Sequence, residues 1–263
     1  MTSPIVKGDI LRNIRIERGR TIAFLRGLEP EQWETVTLPG WRIREVAAHL
    51  VSLDRASLSG AVLPQAMASA ERVERWNDRQ VGKFADRPLP EILIALERWG
   101  RRFLRLARAV PAAAYRLRVP TMWGRGPGGL LIWSRVYDEW VHRQDMRRAL
   151  GLPDEDVDLA PPLVFMLQAA GCLPAMRGGT GTVEVSVKGV PLAPHVFDLA
   201  AGAVTKRLPG READVRIRAH GPAFIMATAG REPGFKELEE GGELEIDGDR
   251  SVAERFLAGL KVV

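Results

Sequence analysis

Apolar residues recur at helical spacing through the first part of the chain and at alternate positions in the last part, with the change near Gly151. Over residues 6–27, Ile10, Leu11, Ile14, Ile22 and Leu25 keep the three- and four-residue steps of an amphipathic helix. Glu29 and Pro30 break it, and residues 31–33 suit a single turn. A loop ending in Leu38, Pro39 and Gly40 leads into residues 41–58, where Ile43, Ala47, Leu50, Val51 and Leu58 share one side of a second helix. Residues 60–64 close that helix, and a third is predicted over 67–83. Pro88, Leu89 and Pro90 then open a strong helix over 91–109. A glycine-rich loop over 110–129 delivers the chain to a last helix over 131–150. With the third segment counted as an irregular crossover, four long helices remain, which predicts a bundle.

Beyond Gly151 the composition turns to that of a linker, residues 152–162, rich in Pro and Asp. One apolar helix is predicted over 163–175. Three runs then alternate strictly: 182–189, 213–219 and 242–248. Helices fit 222–229 and 251–260. The expectation is an all-α N-terminal domain, a four-helix bundle over residues 1–155, followed by a small α+β domain over residues 156–263.

The helix over 131–150 carries the most chemistry. At ~100° per residue, Asp138, His142 and Asp145 fall within ~60° of one another on one face. Asp138 and His142 stand at i and i+4, a spacing from which two side chains reach one ion. The same pair on a wet helix surface would be an ordinary carboxylate–imidazole contact, so a partner from elsewhere is needed to decide. The chain has four histidines, His49, His142, His195 and His220. His49 lies at the edge of the apolar side of its helix, where a lone histidine is commonly a satisfied core residue. Set against a facing helix, it completes a His/Asp/His group of the kind bundles build from opposed side chains. His195 and His220 read as exposed polar residues in loops. Trp41, Trp123 and Trp133 read as packing the bundle rather than lining a site.

Trp41, the run Arg44-Glu45-Val46-Ala47-Ala48-His49, Asp54, Trp76 followed by Asn77-Asp78-Arg79, Pro120-Thr121-Met122-Trp123-Gly124, and Asp138-x-x-x-His142-x-x-Asp145 together resemble the DinB-like family. Within it they resemble the branch typified by the mycothiol-dependent maleylpyruvate isomerases. The second half resembles the sterol-carrier-protein-2-like module of that branch, through Gly221-x-x-Phe224, Ala229-Gly230-Arg231 and Gly248-Asp249. The resemblance implies a divalent metal held by His49, Asp138 and His142, and a low-molecular-weight thiol of the mycothiol type as co-substrate. It also implies an arginine of the C-terminal module with a part in activity, which falls on Arg231. The chain departs from the branch at Asp138, where glutamate is the commoner residue. Glu139 lies ~100° round the helix from it.

Two nitrogens and one oxygen suit zinc, while nickel, cobalt, iron or manganese would also accept them. Three protein ligands leave a coordination position open, the mark of a catalytic rather than a structural site. Asp145, one turn beyond His142, could take the other ring N–H of that histidine or pair with Arg148. Guanidinium groups match carboxylates bidentately, which makes Arg125 and Arg231 candidate substrate-binding residues. Arg231 could equally serve as a basic residue at a helix C-terminus. A cleft shared by the two domains is the expected place for such a site. Cys172, the one cysteine, lies in an apolar helix and reads as core; a single cysteine forms no internal disulfide.

The apolar share of 46% excludes wholesale disorder. No apolar run reaches the length of a membrane span, and the first twenty residues lack the apolar stretch of a secretion signal; a cytoplasmic protein is expected. The net charge of +5 raises nucleic acid as a partner. Yet the arginines alternate with Asp and Glu along the helices, and aromatics do not interleave with them as on a base-stacking platform. Attraction of an anionic small molecule, or solubility alone, explains the charge better. The expected partners are a small thiol and an electrophile, with the oligomeric state left open. The sequence therefore supports a metal-dependent, thiol-using transferase or isomerase. A metal-containing protein that binds a small molecule without turnover is the alternative.

Overall fold

The computed structural model describes residues 6–61, 70–84, 86–176, 179–206 and 212–261. By contacts the chain divides into two compact units. One comprises residues 6–122 and 131–154, the other residues 123–130 and 155–261.

The first unit is helical. Helix α1 (Lys7–Arg26) is followed by a 3-10 turn, Pro30–Glu34, and a two-stranded ribbon of β1 (Val36–Leu38) and β2 (Trp41–Arg42). Helix α2 (Ile43–Ser59) starts where Glu45 Oε2 accepts the backbone N–H of Arg42, and stops at Gly60, whose φ of 73° is left-handed. Helices α3 (Ala70–Val81), α4 (Leu89–Ala109) and α5 (Gly129–Ala149) complete the set; between the last two in the chain come strand β3 (Arg118–Thr121), of this unit, and β4 (Gly124–Pro127), of the other. Helix α2 packs on α3 and α4, and α4 also packs on α1. A core of Leu25, Trp33, Ile43, Leu50, Ile92 and Leu96, among others, fills the space between them. The third helix is regular over Ala70–Val81 rather than an irregular crossover. The expected stretch 67–69 lies outside the described residues, as do 62–66.

The second unit carries a five-stranded sheet in the order β7-β6-β5-β8-β9. Its strands are β5 (Thr182–Lys188), β6 (His195–Asp198), β7 (Ala203–Lys206), β8 (Val215–His220) and β9 (Leu244–Gly248). Strands β5 and β8 run parallel and the other pairs antiparallel. Helix α6 (Ala160–Ala170) precedes the sheet, α7 (Gly221–Thr228) and α8 (Phe235–Glu240) join β8 to β9, and α9 (Arg250–Gly259) follows. Val183 faces Val215 and Val185 faces Ile217 across the parallel pair, and all four are buried. Phe197 and Phe256 meet edge to face at 4.9 Å. This is an all-α unit followed by a small α+β unit, as the two periodicities require.

Several local expectations change. The apolar helix ends at Ala170, and a 3-10 turn, Pro174–Met176, follows it. Cys172 sits in the turn between them, buried, with its thiol directed at the Gln168 carbonyl (3.4 Å). Strands β6 and β7 escape a reading by pattern because four residues offer only two inward positions, too few to establish a period of two. His195 is correspondingly not an exposed loop residue. It lies in β6, only 3% exposed, on the same face of the strand as the buried Phe197. His220 is exposed at the end of β8. Among the described residues no helix is long and apolar enough to cross a membrane.

Candidate metal centre

Helix α2 contributes His49 and helix α5 contributes Asp138 and His142. Each offers one ligand atom, and the three atoms lie within 4.8 Å of one another. Asp138 Oδ1 is 3.7 Å from His49 Nε2 and 3.5 Å from His142 Nε2, so a single oxygen faces two imidazole nitrogens. The rings stand edge to face, with centroids 5.0 Å apart. Both histidines are buried and Asp138 is half-buried, which removes the wet-surface reading of the pair.

Asp145 settles which nitrogen of His142 is free. Its Oδ2 lies 3.0 Å from His142 Nδ1, so the ring N–H points to the carboxylate and Nε2 keeps its lone pair toward the centre. Arg148, the other partner open to Asp145, pairs with Asp154. Burial lowers the pKa of His49 and outweighs the attraction of Asp138, which keeps the ring neutral and able to donate a lone pair. Burial alone would raise Asp138. The charge of Arg135 and the two imidazoles overcome it and hold the carboxyl far below the usual range.

Behind the three residues lies a set of buried ion pairs. Arg135 is bonded to Asp138 Oδ2, and its Nε donates to Asp54 Oδ1 on α2 at 3.2 Å. Arg18 on α1 donates to Asp54 Oδ2 at 2.6 Å and to the Leu96 carbonyl of α4 at 3.0 Å, and also binds Glu139. Gly100 on α4 makes room for it: a Cβ there would stand 2.3 Å from Arg18 Nη1. Further along, Arg143 donates to Glu17 at 2.7 Å. Asp54, Glu139 and Arg143 have no exposed surface. Glu139 is thus turned away from the three-residue centre and occupied by two arginines.

The helix stripe of Asp138, His142 and Asp145 and the facing position of His49 are legible in the sequence. The arginines are not, although a signal exists: Glu17 and Arg18 occupy the same helical stripe as Ile10, Ile14, Thr21 and Leu25, all buried. Trp41 departs from expectation in part. It packs against the bundle core as expected, but its ring also lies 5.1 Å from that of His49 and its Nε1 donates to Asp78 at 3.1 Å, so it forms a wall of the centre as well. Trp123 is buried in the other unit against Phe165, and Trp133 is buried on α5. Arg125 is exposed on β4 and Arg231 follows α7, both in the second unit. Arg231 Nη1 donates to the Ala229 carbonyl at 2.8 Å, the contact expected of a basic residue at a helix C-terminus.

The family described as mycothiol maleylpyruvate isomerase N-terminal domain matches residues 14–147, a span that contains every residue of the centre. Among solved structures, a mycothiol-dependent maleylpyruvate isomerase superposes with a TM-score of 0.52 at 16% identity, covering 86% of this chain and 90% of that one. A histidine-to-alanine mutant of such an isomerase gives 0.51 at 15% identity over the same shares. A sterol carrier protein 2 like 2 from Aedes aegypti covers 35% of this chain and 87% of its own at a TM-score of 0.30 and 16% identity. No curated protein matches the sequence. With 134 of its 263 residues inside the matched span, the chain belongs to the mycothiol maleylpyruvate isomerase N-terminal domain family.

Proposed function

We propose that this protein is a metal-dependent enzyme that uses a low-molecular-weight thiol, of the mycothiol type, to isomerise or conjugate a small electrophilic alkene bearing a carboxylate. The observation that carries the reading is the convergence of His49 Nε2, His142 Nε2 and Asp138 Oδ1 on one point. The donor set fits a divalent ion: two neutral imidazoles, one carboxylate oxygen, and an outer carboxylate on His142 Nδ1. Zinc is the first choice for this set.

A dication held there favours the thiolate form of a neighbouring thiol, and the thiolate is the nucleophile. The chemistry then balances without a nucleophile from the protein. Sulfur attacks the alkene carbon and the π electrons move toward the conjugated carbonyl. Rotation follows about the new single bond, and expulsion of the thiolate restores the alkene. Protonation of the adduct instead gives the conjugate. The residues of the bundle have defined parts in this. Asp145 fixes the tautomer of His142, and Trp41 covers His49. Arg125 and Arg231 are assigned to the substrate carboxylate on the chemistry of the guanidinium group. Arg231→Ala should lower turnover about ten- to a hundredfold, the scale of one charged hydrogen bond.

Elemental analysis of the purified chain tests the centre directly. About one divalent ion per chain is expected, with loss of the ion in His49→Ala and in His142→Ala. Full metal content in both variants would sink the assignment. Turnover of thiol and electrophile together then separates an enzyme from a protein that only binds a small molecule.

A further inference from the structure

The geometry points to Arg135 as the positioning residue of this centre: by clamping one oxygen of Asp138 it compels the carboxylate to offer a single oxygen to the ion. The inference rests on the metal-centre reading above and adds to it the reason why one acid ligates with one atom.

Asp138 Oδ2 is bonded to Arg135, while Oδ1 alone faces the two histidines. Arg135 cannot drift to follow the acid, because it is tied at its other atoms. Its Nε donates to Asp54 Oδ1 at 3.2 Å and its Nη2 donates to the Leu50 carbonyl at 3.3 Å, both on α2. Asp54 is in turn held by Arg18 from α1. The Arg135 side chain is only 4% exposed and Asp54 has no exposure, so water cannot substitute for these contacts.

Helix α2 therefore supplies both His49 and the anchor for Arg135. The two helices that carry the ligands are thereby tied to each other next to the centre, α5 through Arg135 and α2 through Asp54 and Leu50. The short aspartate makes the clamp consequential. A carboxylate with both oxygens free can close on a cation through two atoms and fill a position that a substrate would use. With Oδ2 occupied by a guanidinium, three protein atoms remain for the ion and the open position is preserved.

The test uses the full chain loaded with Co(II), whose visible absorption weakens as its coordination number rises. The wild type should bind Co(II) with an intense spectrum typical of low coordination number. Arg135→Gln frees Asp138 Oδ2; affinity should fall about 10- to 100-fold, as for other outer partners of metal ligands, and the visible bands should weaken and shift. Arg143→Gln is the comparison, since Arg143 is as deeply buried on the same helix and binds Glu17 and Thr21 of α1. It should lose stability while keeping the Co(II) spectrum.

Where Arg135→Gln does not fold, Arg135→Lys and Asp54→Asn decide the matter. Each leaves part of the clamp in place and should move affinity and spectrum in the same direction by a smaller amount. An unchanged spectrum and affinity in the folded Arg135 variants would overturn the clamp and leave Arg135 a counter-charge. Failure of the wild type to take up Co(II) would instead overturn the metal centre and the clamp with it.

Discussion

The helical unit and the sheet unit solve the problem of an interior differently. Between α1, α2, α4 and α5 the structure buries Glu17, Arg18, Asp54, Arg135, Glu139 and Arg143, each with a partner of opposite sign. Between the sheet and its helices lie Val183, Val185, Phe197, Ile217, Phe224 and Phe256; Glu184 and His195 are also buried in that unit, while the pair Arg216–Asp247 is exposed. Withdrawal of a charge from water costs several kcal/mol even after relaxation, so well-packed apolar side chains would hold a bundle at least as well. The placement of the charges is the lesson. Arg135, Glu139 and Arg143 lie on the turns of α5 that carry Asp138 and His142, Asp54 lies on the helix that carries His49, and Glu17 and Arg18 meet them from α1. The unit with the candidate chemistry has placed a network of charges in its interior, whereas Glu184 and His195 are the ionisable groups buried among the described residues of the sheet.

The largest expected effect comes from breaking the charged interior at its centre. Arg18→Leu removes one of the two arginines bound by each of Asp54 and Glu139, neither of which has any exposure. Leaving two buried carboxylates to share Arg135 alone should destabilise the helical unit by about 3–5 kcal/mol. Urea denaturation followed by far-ultraviolet circular dichroism measures it, and a loss under about 1 kcal/mol would mean that the network is wetter than its burial implies.

A second experiment sharpens the comparison by converting part of one interior into the other. Arg143→Met leaves the buried Glu17 with Arg20 as its remaining partner and should cost nearly as much as Arg18→Leu. Adding Glu17→Leu to it replaces the pair with apolar side chains, and most of that loss should return. If the double variant is no more stable than the single one, these charges hold the bundle together directly, and the contrast between the units is one of strategy rather than of function.

How much of this can be read beforehand follows from the same contrast. Alternation over Thr182–Lys188 and helical steps over Leu89–Ala109 are periodic signals, and they survive because the interior they face is apolar. Asp138, His142 and Asp145 are visible as a stripe because they are spaced for one helix face. Arg135, Glu139 and Arg143 lie elsewhere on the same helix, where alternating charges in a sequence pass for a solvated surface. Helix α5 has no solvated face of that kind: Val136, Trp140 and Arg143 have no exposure at all. A buried charge network carries no periodicity of its own, because each member depends on a partner from another helix. Trp41 evades the pattern for a related reason, since its contact with His49 is made from a two-residue strand, not from a helix whose phase can be drawn.

A smaller effect is expected from crowding the network rather than emptying it. Gly100→Ala places a methyl group against the guanidinium of Arg18, which is fixed by Asp54 and Leu96 and has little freedom to retreat. Overpacking of this sort costs about 1–3 kcal/mol. Unfolding by urea should place this variant between the wild type and Arg18→Leu, whereas a helix-favouring gain in stability would show that Arg18 can move aside.

The smallest effect belongs to an ion pair of the other kind. On the sheet unit, Lys188 of β5 reaches Glu245 of β9 at 2.8 Å, with about half of each side chain exposed (48% and 49%). The hydrogen bond from Lys188, together with its charge, lowers the pKa of Glu245 below the ordinary carboxylate value. A lowered folded-state pKa gives stability that is present above the unfolded value, near pH 4.3, and is lost as the pH falls through the folded value. Lys188→Ala should therefore leave stability at pH 7 almost unchanged, because solvent screens an exposed pair. Its mark should be confined to the acid side, where the Glu245 titration followed by NMR moves up toward the ordinary carboxylate value. A large loss of stability at neutral pH would place this pair with the buried ones of the bundle and erase the distinction between the two interiors.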